Sequence, residues 1–364
     1  MTADPLGARR AAEQAQAHLF LLAGHRDGGS HAQALANAHD YGLAAEADGY
    51  AGVWIAEHHF ISYGVCPSAV AFAAHLLGAT RRITVGTAAC VLSHRHPVAL
   101  AEEAVLLDEL SGGRFLLGVG RGGPWVDLEV FGSGLDRYEH GFAESLDILR
   151  RWLSGVGMVS GNRRFPFRPV SVVPRPRRRV PVWIAATSPA TVDLAARHGS
   201  PLLLGLHADL EEKRSLLDRY ARVATAHGHE ASAIPHASAH LAHVENTDAE
   251  AAQTVRDALP ALLVGTRDYI RLDDGPAGPR DIDGYVRHLV DIHPVGGAGR
   301  CREVVTAAAA LPGVRHLLFM VEATGDRRVT MRTIHRLATE VLECVGAPKT
   351  PHSGKLSSHE NRLQ

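Results

Sequence analysis

Apolar positions along this chain fall into two alternating patterns. Short β-branched runs are fit to be buried on both faces, and longer stretches repeat Ala, Val and Leu at helical spacing. The clearest case is ITVGTAACVLSHRHPVALAEEAVLLDELSGGRFLLGVGRGG, which begins at Ile83 and ends at Gly123. Residues 83–92 read as a strand, 97–110 as a helix stopped by Ser111-Gly112-Gly113, and 114–119 as a second strand. The same alternation predicts further strands over 18–23, 51–56, 180–186, 201–205, 236–244 and 314–321. It predicts helices over 32–48, 67–79, 137–153, 189–198, 209–226, 248–262, 300–311 and 328–345. Strands that alternate with helices in this way fit the α/β class and a single (β/α)8 TIM barrel with insertions, spanning residues 1–346.

Two segments exceed the needs of a plain barrel. Residues 154–179 are rich in Pro, Gly and Arg, and residues 265–299 carry turn signals with little periodicity. The second is expected to be an active-site lid. The polar end, 347–364, reads as a disordered tail.

Charge then narrows the partners. Lys and Arg total 38 against 39 Asp and Glu, for a formal net charge of −1, so no global field attracts nucleic acid or an anionic membrane. The Arg-rich run Arg175-Pro176-Arg177-Arg178-Arg179 has no interleaved aromatics and reads as a solvated connection. Cys66, Cys90, Cys301 and Cys344 stand far apart, which favours a reducing compartment over a disulfide framework or zinc site. The N-terminal residues lack a signal-peptide core and no apolar run reaches spanning length, so the expected location is the cytoplasm.

In a barrel, the strand ends open onto one face. The second strand ends in Glu57-His58-His59, the third in His94-Arg95-His96, the fourth in Gly120-Arg121-Gly122-Gly123 and the fifth in Thr187-Ser188-Pro189-Ala190-Thr191. Glycines admit a ligand to the backbone, and an arginine fork matches a phosphate. Arg121 can therefore share one phosphate with Ser188 and Thr191 at a helix start. Taken alone, Ser188 is an ordinary helix cap, and His58-His59 are ordinary strand-end histidines.

The ordered set AEHHF, ITVGTAACVL, HPVALAEEAVLLDELSGGRFLLGVGRG, VPVWIAATSPATVDLAARHG and IHPVG resembles the bacterial luciferase-like flavin-dependent monooxygenases, and luciferase alpha subunits in particular. The resemblance runs from the first strand to the last helix. It implies a TIM barrel that binds reduced FMN without a covalent bond, activates O2 as co-substrate and oxidises a small organic substrate by hydroxylation, epoxidation or Baeyer-Villiger chemistry. It further implies a separate flavin reductase and a homodimer. Carried over by motif, Arg121, Ser188 and Thr191 hold the FMN phosphate, with backbone contacts from Thr187, Gly122 and Gly123. Ala88 and Ala89 fall at a non-prolyl cis peptide behind the flavin ring, and His58 is the active-site histidine. Gly120 departs from the luciferase pattern, which has a cysteine there. Glu139 stands where a second phosphate arginine belongs, with Arg137 near enough to compensate.

Other readings stay open. A deazaflavin-dependent hydride-transferring oxidoreductase keeps the fold, and a non-catalytic flavin-binding subunit keeps the cofactor. A metal hydrolase would use His94 and His96, but the fourth and fifth strand ends supply no ligand, so no metal is expected. Gly118 to Gly123 also satisfies a dinucleotide-binding pattern, yet three strand-helix units precede it and the residues that follow, Pro124-Trp125 and then Phe131-Gly132-Ser133-Gly134, read as no immediate clean helix.

Overall fold

Eight parallel strands close on one another in the computed structural model, which describes residues 15–25, 29–264, 266 and 281–345. They are β1 (Gln16–Leu21), β2 (Gly52–Ile55), β3 (Thr84–Thr87), β4 (Phe115–Gly120), β5 (Val182–Ala185), β6 (Leu202–Leu204), β7 (His236–Leu241) and β8 (Val314–Met320). Each strand pairs with its sequence neighbours, and β1 pairs with β8, so the sheet has no free edge. Around it lie α1 (His31–Ala47), α2 (Ala69–Ala79), α3 (Pro97–Ser111), α4 (Phe142–Leu153), α5 (Pro189–Arg197), α6 (Leu210–Ala226), α7 (Asp248–Val264), α8 (Ile282–Ile292), α9 (Ala298–Ala309) and α10 (Arg327–Arg336). The expected (β/α)8 barrel is what the chain forms.

Strand alternation sorts the core into two layers. On β2, Val53 and Ile55 face outward against the helices, whereas Trp54 faces the barrel interior and meets Trp183 of β5 edge-on at 5.5 Å. Both tryptophans are thus core, as their strand positions suggested. The long third strand expected over 83–92 is interrupted: β3 stops at Thr87, the Ala88-Ala89 peptide is cis, and Cys90–Val91 then resumes pairing beside β4.

The segment over 265–299 is only partly what its sequence suggested. Residues 265 and 267–280 lie outside the described residues, as does the expected tail over 347–364. The remainder forms α8, a short strand at Val295–Gly296 and the start of α9. Asp281 caps α8 by accepting from Gly284 N at 2.7 Å, and Val286, Leu289 and Val290 are buried against α7. Those apolar positions do follow a helical spacing, but over just eleven residues it is hidden among Asp, Gly and Pro. The Arg-rich run is also more engaged than a solvated connection. Arg178 forms a two-pronged ion pair with Asp108 at 2.5 and 3.1 Å, and Arg177 pairs with Glu109 at 3.0 Å, so the connection into β5 is strapped to the end of α3.

One buried carboxylate ties the upper barrel together. Glu57, just past β2, accepts from the backbone N–H groups of Ala69 at the start of α2 and of Val91, both at 3.1 Å. It also takes Arg95 Nη2 at 2.9 Å and Nε at 3.3 Å. Against the upward push of burial, His59 and His94, then the charge of Arg95 and the Val91 N–H, hold its carboxyl far below the usual carboxylate range. Because its folded pKa is depressed, its stabilisation is present above the unfolded value and lost as pH falls through the folded one. We predict that Glu57→Ala costs about 3–5 kcal/mol, the effect of breaking a buried pair. We also predict that Glu57→Gln, less stable than wild type at neutral pH, loses less stability as pH falls from about 5 toward 2. Chemical denaturation across that range checks both. Parallel pH profiles would assign Glu57 no electrostatic role.

Candidate active site

At the end of the barrel where the strands finish, a cavity of about 270 Å³ opens among small and aliphatic side chains. Phe20, Leu22, Ala88, Ala185, Ala239, Leu318 and Met320 are among the residues that line it. Its polar lining comes from His58, Tyr63, His207, Thr266 and Tyr285. An apolar cavity with a few convergent polar groups is the usual form of a small-molecule site.

His58 reaches this cavity because β2 ends one turn earlier and Glu57 holds the chain that follows. Its backbone N–H donates to Cys66 O at 3.0 Å, and its ring meets Tyr63 edge-on at 5.3 Å. Gly64 packs so closely that a Cβ there would stand 2.7 Å from His58 Nδ1. Burial, reinforced by His59, pushes the imidazole pKa down to about 4, so His58 is neutral at neutral pH and able to accept a proton.

His59 turns the other way. With His94 and Glu57 it forms a second buried cluster, the two Nε2 atoms lying 3.7 and 3.9 Å from Glu57 Oε1 under the ring of Phe131. These three are the one grouping among the described residues with atoms close enough to suggest a metal. Donor chemistry argues against that use. Glu57 already accepts from four N–H groups, two of which belong to the Arg95 guanidinium, and a divalent cation would have to displace Arg95. Asp127 stands near the same imidazoles, and burial raises its pKa. Sequence reading missed Asp127 and the Glu57–Arg95 pair. His96 instead caps α3, its Nδ1 accepting from Val98 N at 3.3 Å.

The phosphate-type residues gather as the strand order demands. Val119 of β4 lies beside Ile184 of β5, so Arg121 and Ser188 leave adjacent strands at the same end. Ser188 caps α5 by accepting from Thr191 N at 3.4 Å, and the two hydroxyls lie 3.1 Å apart. Thr187, exposed, precedes them. Arg121 has no carboxylate partner among the described residues, and its guanidinium carbon lies 5.0 Å over the Tyr138 ring. A guanidinium without a carboxylate partner, on the strand next to the one that leads into two hydroxyls and a helix start, offers the donor types a phosphate needs. Gly122 adopts φ +80, and a Cβ on it would strike Val91 Cγ1 at 2.1 Å, so the turn admits only glycine. Gly123 faces Tyr138. Ala88 and Ala89 are joined by the cis peptide expected there, and Ala88 lines the cavity. Gly120 sits between Ala89 and Ala185, with room for a Cβ at 3.5–3.6 Å from each. Arg137, expected to serve as a second phosphate group, donates to Arg95 O and lies 5.1 Å from the Phe165 ring. It braces the strand ends.

Comparison with known proteins places this geometry. The alkanal monooxygenase alpha chain of the Kryptophanaron alfredi symbiont is 29% identical over 321 residues, covering 83% of this chain and 90% of that one. Among solved structures, the monooxygenase RslO1 from Streptomyces bottropensis superimposes with a TM-score of 0.78 at 22% identity, covering 90% of this chain and 99% of that one. The oxygenating constituent of 3,6-diketocamphane monooxygenase from Pseudomonas putida, a type II Baeyer-Villiger enzyme in complex with FMN, gives 0.69 at 19% identity over 92% of this chain and 100% of that one. At those identities the structures speak to the fold. The family described as luciferase-like monooxygenase matches residues 16–310, and the chain belongs to it.

Proposed function

We propose that this protein is a monooxygenase that works with reduced FMN and inserts one oxygen atom of O2 into a small, largely apolar organic substrate. The observation that carries the reading is Arg121, without a carboxylate partner among the described residues, on the strand next to the one that leads into the Ser188–Thr191 hydroxyl pair, at the same end of the barrel as the apolar cavity that His58 lines. Family membership, an alkanal monooxygenase relative and an FMN complex among the structural neighbours support it. In this reading a separate reductase supplies the reduced flavin, the protein acts as a cytoplasmic homodimer, and residues 1–346 form one catalytic domain. No helix among the described residues is long and apolar enough to cross a membrane.

Each residue then has a task. Arg121, Ser188 and Thr191 bind the phosphate, while the backbone of Thr187, Gly122 and Gly123 completes the cradle. Ala88 and Ala89 present a flat, small surface to the ring. Reduced FMN, when bound, supplies the electrons that activate O2. The aliphatic walls exclude water, and His58, neutral through burial, accepts a proton at its imidazole nitrogen during turnover. Gly120 leaves the space between Ala89 and Ala185 unfilled and widens the site for a substrate bulkier than a linear aldehyde.

Three measurements test the reading. FMN titration should show Arg121→Ala binding more weakly by about 1.5–3 kcal/mol, and riboflavin, which lacks the phosphate, losing a comparable amount on wild type. Equal affinity of variant and wild type would sink the phosphate assignment. Mixing protein-bound reduced FMN with oxygen should reoxidise the flavin more slowly than free reduced FMN, whereas tight binding of a deazaflavin with no oxygen reaction would favour hydride transfer. Finally, His58→Ala should lower turnover by about 10²–10⁴-fold with FMN affinity unchanged. In wild type the rate limb belonging to this group should appear only as pH falls toward about 4, where the imidazole gains its proton. A limb near the ordinary histidine pKa would assign the proton transfer elsewhere.

A further inference from the structure

The opposite end of the barrel carries a second cleft, of about 310 Å³, where β5, β6 and β7 begin. Val180, Pro181, Val182, Pro201, Ile234 and Pro235 make it apolar. Two guanidiniums stand in its lining, Arg150 from α4 and Arg179 from the connection into β5. Arg150 Nη2 is held in place by His198 O at 3.0 Å. Neither arginine has a carboxylate within ion-pair distance among the described residues, and the nearby Asp147 is taken by Arg151 at 3.0 Å. Burial, then the charge of Arg179, lowers the pKa of Arg150. Two like charges sharing an apolar cleft repel each other, and an anion between them converts that repulsion into two attractive contacts. Trp183 also lines the cleft at 3% exposure, and its indole N–H is buried without an acceptor.

We propose that this cleft is a binding site for a small amphipathic carboxylate, its acid group between Arg150 and Arg179 and its apolar body against the proline and valine walls. A guanidinium pair suits the two oxygens of a carboxylate, and the walls suit an aliphatic or aromatic tail. The site stands apart from the proposed flavin and substrate cavity, at the face where barrels do not place their chemistry. It does not depend on the activity of that cavity.

Calorimetric titration of octanoate into the full-length protein near neutral pH tests it. Octanoate should bind, with octanol and acetate each weaker by about tenfold or more, because one lacks the charge and the other the body. Arg150→Met and Arg179→Met should each weaken octanoate by about tenfold, and Arg121→Ala should not. Arg179 is exposed, so its variant tests the charge even where Arg150→Met perturbs folding. Octanoate should bind equally with and without saturating FMN. Binding unchanged in Arg179→Met, octanol matching octanoate, or displacement of octanoate by FMN would each overturn the proposal, the last by moving the acid to the main cavity.

Discussion

Everything at the mouth of this barrel leans on one buried carboxylate. Glu57 comes directly after β2, and its two oxygens collect N–H groups from the start of α2, from the chain beyond the Ala88-Ala89 peptide and from Arg95. An isolated carboxylate could not stay ionised in such a place, and four donors make it the group that decides where its neighbours go. By fixing the backbone at the strand end, it aims His58 into the apolar cavity and His59 away from it, toward His94 and Phe131. Two adjacent histidines therefore live in different surroundings. Only one lines the cavity.

The rest of the interior is kept nearly free of net charge. His18, His236, His240, His293 and His316 all have pKa values pushed below the ordinary histidine range, with burial as the largest cause; His18 and His316 pack as rings against Trp54 and Trp183 inside the barrel, and His236 against Tyr220 outside it. Lys213, wholly buried, donates to Ala239 O at 2.7 Å and has its pKa lowered to about 7. Glu322 closes the seam between β8 and the end of β1 by accepting from Leu22 and Gly24 N–H groups at 2.5 and 3.0 Å. Among the described residues, Arg121 at one end of the barrel and Arg150 with Arg179 at the other have no carboxylate within ion-pair distance. Uncommitted charge at a cavity edge is where an anionic ligand gains most.

Membership in the luciferase-like family accounts for the barrel and for the order of the strand-end motifs, and the chain departs at single positions from the luciferase pattern that its sequence resembles. Gly120 is the plainest. Its neighbours would accept a Cβ at ordinary contact distance, so the glycine is not required by packing and leaves volume beside the proposed flavin face. Gly122, two residues on, is required by both its φ and its closeness to Val91.

Local spacing was enough to reveal the barrel, since strands buried on both faces and helices with one apolar face announce themselves within a few residues. The strand-end residues Arg121, Ser188, Thr191 and His58 were legible for the same reason: once the alternation is known, topology places them on one face. The helix Ile282–Ile292 escaped because eleven residues bordered by turn-forming ones carry too little period to stand out. The partnership of Glu57 with Arg95, the strap from Arg178 to Asp108 and the cleft between Arg150 and Arg179 could not be read at all. Each joins residues about thirty to seventy positions apart, and nothing local distinguishes a charge that will be solvated from one that packing will bury beside a partner. Sequence alone determined which chemistry stood at the end of each strand. Only the closed barrel decided which of those charges became mutually satisfied and which were left open, because burial and pairing are set by what the fold brings alongside.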